Sequence, residues 1–417
     1  MKQLLKEHLE AIKPTKQEIS EIAEQTKTVL DELNKKLKKK KIIAQVFVGG
    51  SSAKNTLIKK KKYDIDVFVR FDAKYDQEKI SGMLKSVLPK NVVVKKGSRN
   101  YYSIKAGDSG LEFEIVPVLK VNGPGMAKNI TDLSYFHVNY VKKHINKNPG
   151  LADEIRITKA FTYFQDCYGA ESYINGFSGY ALELLLIKYK TFESFLKAMI
   201  KAKPGMIIDL NKHYASKKQL QDEMNKSKLH GPMILVDPTF KERNALAALS
   251  LSTFHKFQKK AAEFLKKPSS RFFELDDKQE LLAKKYKDRL IVVELKTNKQ
   301  AGDIAGTKMK KFSRHFVREV EKFFIVEKSD FDYDESSNLG KMFLVVKPKK
   351  ELLMCGPPIK MKHAVVQFKK KHKKTKILKG RVCSVEKLNL PFDKFLTQFK
   401  NSKRGKRVVK EMSVGFR

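Results

Sequence analysis

The chemistry in this chain begins with Asp64 and Asp66, in the run Tyr63-Asp-Ile-Asp-Val-Phe-Val-Arg-Phe71. On a strand, side chains two apart share a face. Both carboxylates therefore point one way, while Ile65, Val67 and Val69 pack behind. Oxygen ligands so placed suit Mg²⁺, which takes one or two carboxylates and completes its shell with water and substrate phosphates. Just upstream, Val46-Phe-Val-Gly-Gly-Ser-Ser-Ala reads as a second apolar strand running into a Gly49-Gly50-Ser51 turn that opens a short helix. Glycines let backbone approach a triphosphate, and a turn's N–H groups and the Ser51 hydroxyl can donate to phosphate oxygens. No G-x-x-x-x-G-K-[ST] run occurs, which removes the sequence support for P-loop ATPases. A two-metal phosphoryl site calls for a further acid. Leu111-Glu-Phe-Glu-Ile-Val-Pro117 supplies a strand with one acidic face, on which Glu114 is the candidate and Glu112 the alternative.

The elements that must position these acids follow from periodicity. Residues 3–40 read as two helices, with Thr15 and Glu18 forming a capping box after Pro14. Ile19, Ile22, Ala23, Val29, Leu30, Leu33 and Leu37 make the core-facing stripe of the second. Val92 to Lys96 and Tyr101 to Lys105 alternate like strands. With Gly97-Ser98 and Asp108-Ser109-Gly110 as turns, they join the acidic strands in a small, largely antiparallel sheet. Tyr101 and Tyr102 read either as base-stacking platforms or as a half-buried strand pair. Helices are expected over 136–145, over 153–167 ending near Gly169, from Ser178 as N-cap, from Thr191 up to a break at Lys203-Pro-Gly205, and from about Ala245. Glu183 inside the third reads as structural.

With Gly-Ser, a spacer, Asp-x-Asp and a later strand carboxylate before Val-Pro, the chain resembles the nucleotidyltransferase superfamily, with its polymerase-β-like palm. The ordered set Phe136-His137, Asp153-Glu-Ile-Arg-Ile-Thr-Lys-Ala-Phe161, Tyr168-Gly-Ala-Glu171, Gly176-Phe-Ser-Gly-Tyr180, Asp237-Pro-Thr and Arg243-Asn244 is similar to the archaeal, class I CCA-adding enzymes, the tRNA nucleotidyltransferases. The likeness runs to about Phe273 with specific motifs and beyond that in general layout. It implies metal ligation by Asp64, Asp66 and Glu114, and nucleotide contacts from Gly50, Ser51, Lys54, His137, Lys159, Tyr168 and Arg243, the last reading the incoming base. It also implies CTP and ATP as substrates and tRNA, gripped at its acceptor stem and 3′ end, as acceptor. This chain departs from the family pattern at Glu114, commonly aspartate, at Asn55, commonly glycine, and at Lys54, commonly arginine.

Bulk properties agree with a polyanionic partner. The 417 residues carry a formal charge of +41, which points to nucleic acid before an anionic membrane. No apolar run is long enough to span a bilayer and no signal peptide is visible, so no membrane association and a cytoplasmic location are expected. Three scattered cysteines, Cys167, Cys355 and Cys383, argue against disulfides and against a cysteine-ligated zinc site.

The fold class expected is α+β: a polymerase-β-like palm over 1–150, a helical central domain over 151–275 and a basic α+β body and tail over 276–417. In the last region 288–296, 342–347, 365–368 and 377–385 read as strands and 308–324 as a helix. Lysines without a specific spacing read phosphates and carry no sequence code, so Lys59–Lys62, Lys360–Lys362, Lys369–Lys376 and Lys403–Lys410 are the candidate RNA contacts, and Lys35–Lys41 reads either as a solvated helix end or as a further one. A homodimer is compatible with this reading. Two other functions fit the same residues: an enzyme adding only A, or poly(A), to RNA, and a non-catalytic RNA-binding protein on the same fold.

Overall fold

Alternation in the first third of the chain builds one sheet with helices against it. The computed structural model describes residues 1–59, 62–97, 99–107, 110–275, 277–372, 374–402 and 412–416. Ser98, Asp108, Ser109, Lys60, Lys61, Lys373 and the Lys403–Lys410 stretch lie outside the described residues. Contacts divide the chain into two compact units, one of Met1–Ala170 with Ile174–Glu274, the other of Glu171–Tyr173 with the chain from Leu275 onward.

In the first unit α1 (Lys2–Ile12) leads to α2 (Lys16–Lys39). The capping box starts α2: Glu18 N–H donates to Thr15 Oγ1 at 3.1 Å, and Thr15 N–H to Glu18 Oε2 at 2.7 Å. Ile22, Thr26, Leu33 and Leu37 are buried, whereas Ile19 and Ala23 are exposed, so the inward stripe is narrower than expected. Then come β1 (Ala44–Val48), α3 (Gly50–Ala53), β2 (Tyr63–Phe71), α4 (Ile80–Lys85), β3 (Val93–Lys96), β4 (Asn100–Lys105) and β5 (Leu111–Leu119). The strands order as β1-β2-β5-β4-β3, antiparallel except for β2 and β5. Ile65, Val67, Val69, Phe113 and Ile115 are fully buried on one face with Ile80 and Leu84 of α4, which leaves the acidic side chains on the other.

The rest of this unit is mostly helical: α5 (Ser134–Lys147), α6 (Gly150–Phe164), α7 (Gly179–Tyr189) and α8 (Phe192–Lys201), then β6 (Met206–Asp209), α9 (Lys217–Glu223), β7 (Met233–Asp237), β8 (Phe240–Asn244) and α10 (Leu251–Lys266). Phe161, Phe177, Phe192, Phe195, Phe257 and Phe264 pack as one aromatic core. Two expectations are corrected here. Helix α6 stops at Phe164, where Asp166 takes a left-handed φ of +51°, so Tyr168 lies beyond the helix and bridges Phe177. No helix begins near Ala245: Asn244 is buried and its Oδ1 accepts from the N–H groups of Leu235 and Leu246 at 3.0 and 2.9 Å, which holds the chain in a turn. Helix α10 starts only after Ser250, whose Oγ accepts from Thr253 N–H.

The second unit has α11 (Lys278–Tyr286), β9 (Leu290–Thr297), α12 (Gly302–Phe323), β10 (Phe324–Asp334), β11 (Leu339–Pro348), β12 (Glu351–Pro358), α13 (Lys362–Lys371), β13 (Thr375–Leu378), β14 (Arg381–Lys387), α14 (Phe392–Asn401) and β15 (Met412–Phe416). The sheet β10-β11-β9-β15 buries its core against Phe312, Phe316 and Val320 of α12 and Phe395 and Phe399 of α14. A smaller sheet is ordered β12-β14-β13. Residues 365–368, expected as a strand, lie in α13: Phe368 packs directly over Gly356 of β12 and against the His372 ring, tilted to it at 4.2 Å, and this packing overrides the β-preference of Val365-Val366. Cys355 and Cys383, expected to be reduced, oppose each other across β12 and β14 and are joined as a disulfide. Cross-strand register, invisible in sequence spacing, brings them together.

Candidate active site

The parallel register of β2 and β5 sets Asp64 level with Glu112 and Asp66 level with Glu114. All four carboxylates thus share one face. Gly49 and Gly50 then bring the α3 turn against them. A Cβ on Gly50 would sit 1.7 Å from Asp66 Oδ2, and the residue's φ is +54°, so only glycine fits. At Gly49 a Cβ would strike the Phe68 ring at 2.1 Å. Ser51 follows, half-buried, in the first turn of α3, where N–H groups have no intrahelical acceptor.

Burial, with the like charge of Glu114 next, pushes the Asp66 carboxyl up to about 6, against the opposing charge of Lys54. Hard oxygen donors crowded at one point, short of positive charge, fit a divalent cation. Glu114 is engaged elsewhere: Lys95 of β3 donates to its Oε1 at 2.5 Å and lies 3.0 Å from Glu112 Oε1. Glu112 also accepts from the Ser103 hydroxyl, and that bond together with Lys95 holds its carboxyl below the usual range. Among the described residues no three His, Cys, Asp or Glu side chains are grouped as metal ligands.

Two lysines expected near phosphate meet on a residue read as merely structural. Lys54 Nζ donates to Glu183 Oε2 at 2.7 Å, and Lys159 Nζ to Glu183 Oε1 at 2.8 Å and to Thr56 Oγ1 at 3.3 Å. Glu183 is fully buried; burial alone would raise its carboxyl, and the charges of Lys159 and Lys54 reverse this, leaving it below the ordinary range. Two ammonium groups against one carboxylate leave the cluster net positive. Tyr168 lies beside it: a Cβ on Gly179, at the start of α7, would stand 2.8 Å from Tyr168 Oη and 3.8 Å from Lys159 Cε. One signal could have found Glu183, a lone acid in the apolar run Ala181-Leu-Glu-Leu-Leu-Leu-Ile187.

Arg243, on β8 instead of a helix start, donates from Nη1 to the fully buried Asp237 at 2.7 Å and lies over the Tyr180 ring at 5.4 Å. His137 of α5 stacks on the other partner, with ring centroids 4.1 Å from Tyr180, whose hydroxyl donates to Asp237 Oδ1 at 3.0 Å. His137 Nε2 lies 2.9 Å from Asp237 Oδ2, at ion-pair distance but without hydrogen-bond alignment. Burial lowers the imidazole pKa more than Asp237 raises it. His137 is therefore neutral at neutral pH, and Arg243 is the charge that balances Asp237.

Arg156, unremarked in the sequence, is buried and clamps the segment after α3, donating to Asn55 O at 2.7 Å, Asn55 Oδ1 at 3.0 Å and Leu57 O at 2.9 Å. Asn55 has φ +51°, a conformation that glycine or asparagine accepts, which accounts for asparagine here. Of the candidate RNA contacts, Lys59 pairs with Glu18 at 3.4 Å. Tyr102 is buried and donates to Ser81 O at 2.7 Å, the strand-packing alternative of its two readings.

The chain is similar to known proteins in sequence and in fold. Residues 153–274 match the model of the tRNA nucleotidyltransferase second domain, and residues 1–146 that of the Second Messenger Oligonucleotide or Dinucleotide Synthetase domain. The CCA-adding enzyme of Nanoarchaeum equitans is 43% identical over 55% of this chain, a match spanning 58% of that relative's length. The CCA-adding enzymes of Methanocaldococcus jannaschii and Methanosarcina acetivorans are each 29% identical, over 90% and 98% of this chain and 85% and 91% of theirs. In fold, the Cid1 poly(U) polymerase aligns with a TM-score of 0.51 at 13% identity, over 66% of this chain and 98% of that one. A cytoplasmic RNA terminal U-transferase aligns with a TM-score of 0.51 at 14% identity, over 66% and 99%. With its carboxylate strands and its Gly-Ser turn, the chain is a homologue of the archaeal CCA-adding enzymes, matches the tRNA nucleotidyltransferase second domain over 153–274, and has a polymerase-β-like fold.

Proposed function

We propose that this protein adds and repairs the 3′-terminal CCA of tRNA, with CTP and ATP as substrates and pyrophosphate as the product released. The observation that carries the reading is the register of β2 and β5, which puts Asp66 beside Glu114 directly under the Gly50 turn. Asp64, Asp66 and Glu114 are the residues that would hold Mg²⁺. When bound, the ions lower the pKa of the RNA 3′ hydroxyl and neutralise charge on the leaving pyrophosphate.

The protein's own groups do the rest. Gly49 and Gly50 let backbone approach the triphosphate, and Ser51 donates to it. Lys54 and Lys159, fixed by Glu183, present positive charge that needs no reorganisation during reaction. Tyr168 lies beside them, and neutral His137 contributes a hydrogen bond instead of a charge. The planar guanidinium of Arg243 has five donors, more than its bond to Asp237 consumes, so one edge can face an incoming base. The basic residues of the C-terminal region grip tRNA through phosphates, a contact that reads no particular sequence.

The test is extension of a tRNA transcript lacking CCA, read at single-nucleotide resolution with Mg²⁺ and CTP, ATP or both, beside Asp66→Ala. Addition of two C and then one A, lost in the variant, is the result expected. Addition of A alone would replace the substrate assignment, and tRNA binding without extension would replace the enzymatic one.

A further inference from the structure

The third carboxylate has a partner that the reaction does not use. Lys95 reaches from the edge strand β3 across β4, and its ammonium sits between Glu114 Oε1, at 2.5 Å, and Glu112 Oε1, at 3.0 Å. We propose that Lys95 competes with the divalent cation for Glu114, so that loading the carboxylate site exchanges an internal ammonium for a metal ion. This rests on the assignment of Asp64, Asp66 and Glu114 as the cation's ligands.

Three observations support exchange at Glu114 in particular. Glu114 stands level with Asp66 in the β2–β5 register, whereas Glu112 stands level with Asp64 and is also bonded to Ser103. Glu112 therefore keeps its partners while Glu114 has one to give up. Lys95 is not stranded by the exchange, because Glu112 remains within its reach. The pair is also accessible: the Lys95 and Glu114 side chains are 34% and 23% exposed, unlike Lys54 and Glu183 at 9% and 0%. A half-exposed ion pair is weak enough to break in favour of a divalent ion, whereas a buried one is not. The extra methylene of glutamate over aspartate lengthens the carboxylate's reach from β5, which suits a group with two partners. Lys95 is thus a positioning residue, setting the cation concentration at which the site fills.

The experiment is Mn²⁺ titration of the full-length protein without nucleotide or RNA, read by the electron paramagnetic resonance signal of free Mn²⁺. Lys95→Met is expected to tighten Mn²⁺ binding roughly five-fold, the size of a half-exposed ion pair, while Lys95→Arg stays near wild type. In a Glu114→Gln background, where Mn²⁺ binds more weakly, Lys95→Met is expected to change nothing further. Thermal unfolding of each variant verifies that it is folded. Equal tightening by Lys95→Met in both backgrounds would reduce Lys95 to a through-space charge and overturn the proposal. So would unchanged affinity in Lys95→Met while Asp66→Asn binds weakly. Should Asp66→Asn bind Mn²⁺ as wild type does, the ligand assignment itself falls, and the exchange with it.

Discussion

Glu183 holds the ammonium of Lys54 at 2.7 Å across 129 residues of sequence, the carboxylate fully buried and the lysine nearly so. The same carboxylate holds Lys159, so one anion organises two cations.

This asymmetry makes a stability prediction. Removing Glu183 leaves two buried ammonium groups without a counter-ion, whereas removing either lysine leaves a one-to-one pair. Glu183→Gln is expected to cost about 3 to 5 kcal/mol, more than Lys54→Met or Lys159→Met. Urea unfolding of the three variants measures this, and equal costs would mean that the cluster is not organised on Glu183.

Gly50→Ala tests the carboxylate–turn contact. Its methyl would overlap Asp66 Oδ2, and the backbone at +54° resists any side chain. Displacement of the turn or of Asp66 by about an ångström or more is expected to lower single-turnover nucleotide addition about 100-fold, with the circular dichroism spectrum retained. An active Gly50→Ala enzyme would show that the turn is not held as described.

His137 gives a pH dependence with a definite sign. Its folded pKa lies below the ordinary 6.5, chiefly through burial. Between those two values the unfolded chain binds the extra proton, so stability falls as pH drops through 6.5 toward the folded value. Thermal unfolding from pH 7.5 to 5.5 should show a smaller loss in His137→Gln than in wild type. Parallel curves would remove the histidine from the account.

Arg243→Lys keeps the charge and loses the planar fork. The Asp237 pair survives in part, while the base-edge contact proposed for Arg243 would be lost. The KM for CTP and for ATP is expected to rise roughly ten-fold with tRNA affinity unchanged. A change confined to tRNA binding would move Arg243 from the nucleotide to the RNA.

The Cys355–Cys383 bond closes a 28-residue separation. Cys355→Ser is expected to lower the stability of unreduced protein by about 3 kcal/mol, and mass spectrometry of the unfolded wild type should find two fewer alkylated cysteines without reductant than with it, a difference absent in Cys355→Ser. Cys167 is a separate case, since burial pushes its thiol up to about 12 and leaves it unreactive.

The palm was legible because its strands alternate cleanly. Asp64 and Asp66 share a face by spacing alone, and Glu114 lies on an acidic strand face by the same alternation; that β2 and β5 pair in parallel and set Asp66 level with Glu114 was not legible. What lay hidden depends on distant partners. Lys95 reads as one lysine among many until β3 is set at the sheet edge. Arg156 and Glu183 act through residues about a hundred positions away. Near Arg243 local reading misled: Ala245-Leu-Ala-Ala-Leu249 has helical composition, but four hydrogen bonds made by the buried Asn244 side chain fix a turn. Propensity lost to a satisfied buried amide. In α13 it lost to Phe368 packing on Gly356.

The long reach from Lys54 to Glu183 also orders events during synthesis. Chains emerge from the ribosome N-terminus first, so the sheet with Asp66 and Glu114 can form while α7 and the β7–β8 hairpin are still inside the machine. Until Glu183 emerges, Lys54 and Lys159 have no carboxylate to draw them inward and stay solvated. Until Asp237 and Arg243 follow, His137 and Tyr180 lack the group they converge on. The clusters around Glu183 and Asp237 therefore assemble late, and a growing chain carries the acids of its sheet long before the groups that surround them are in place.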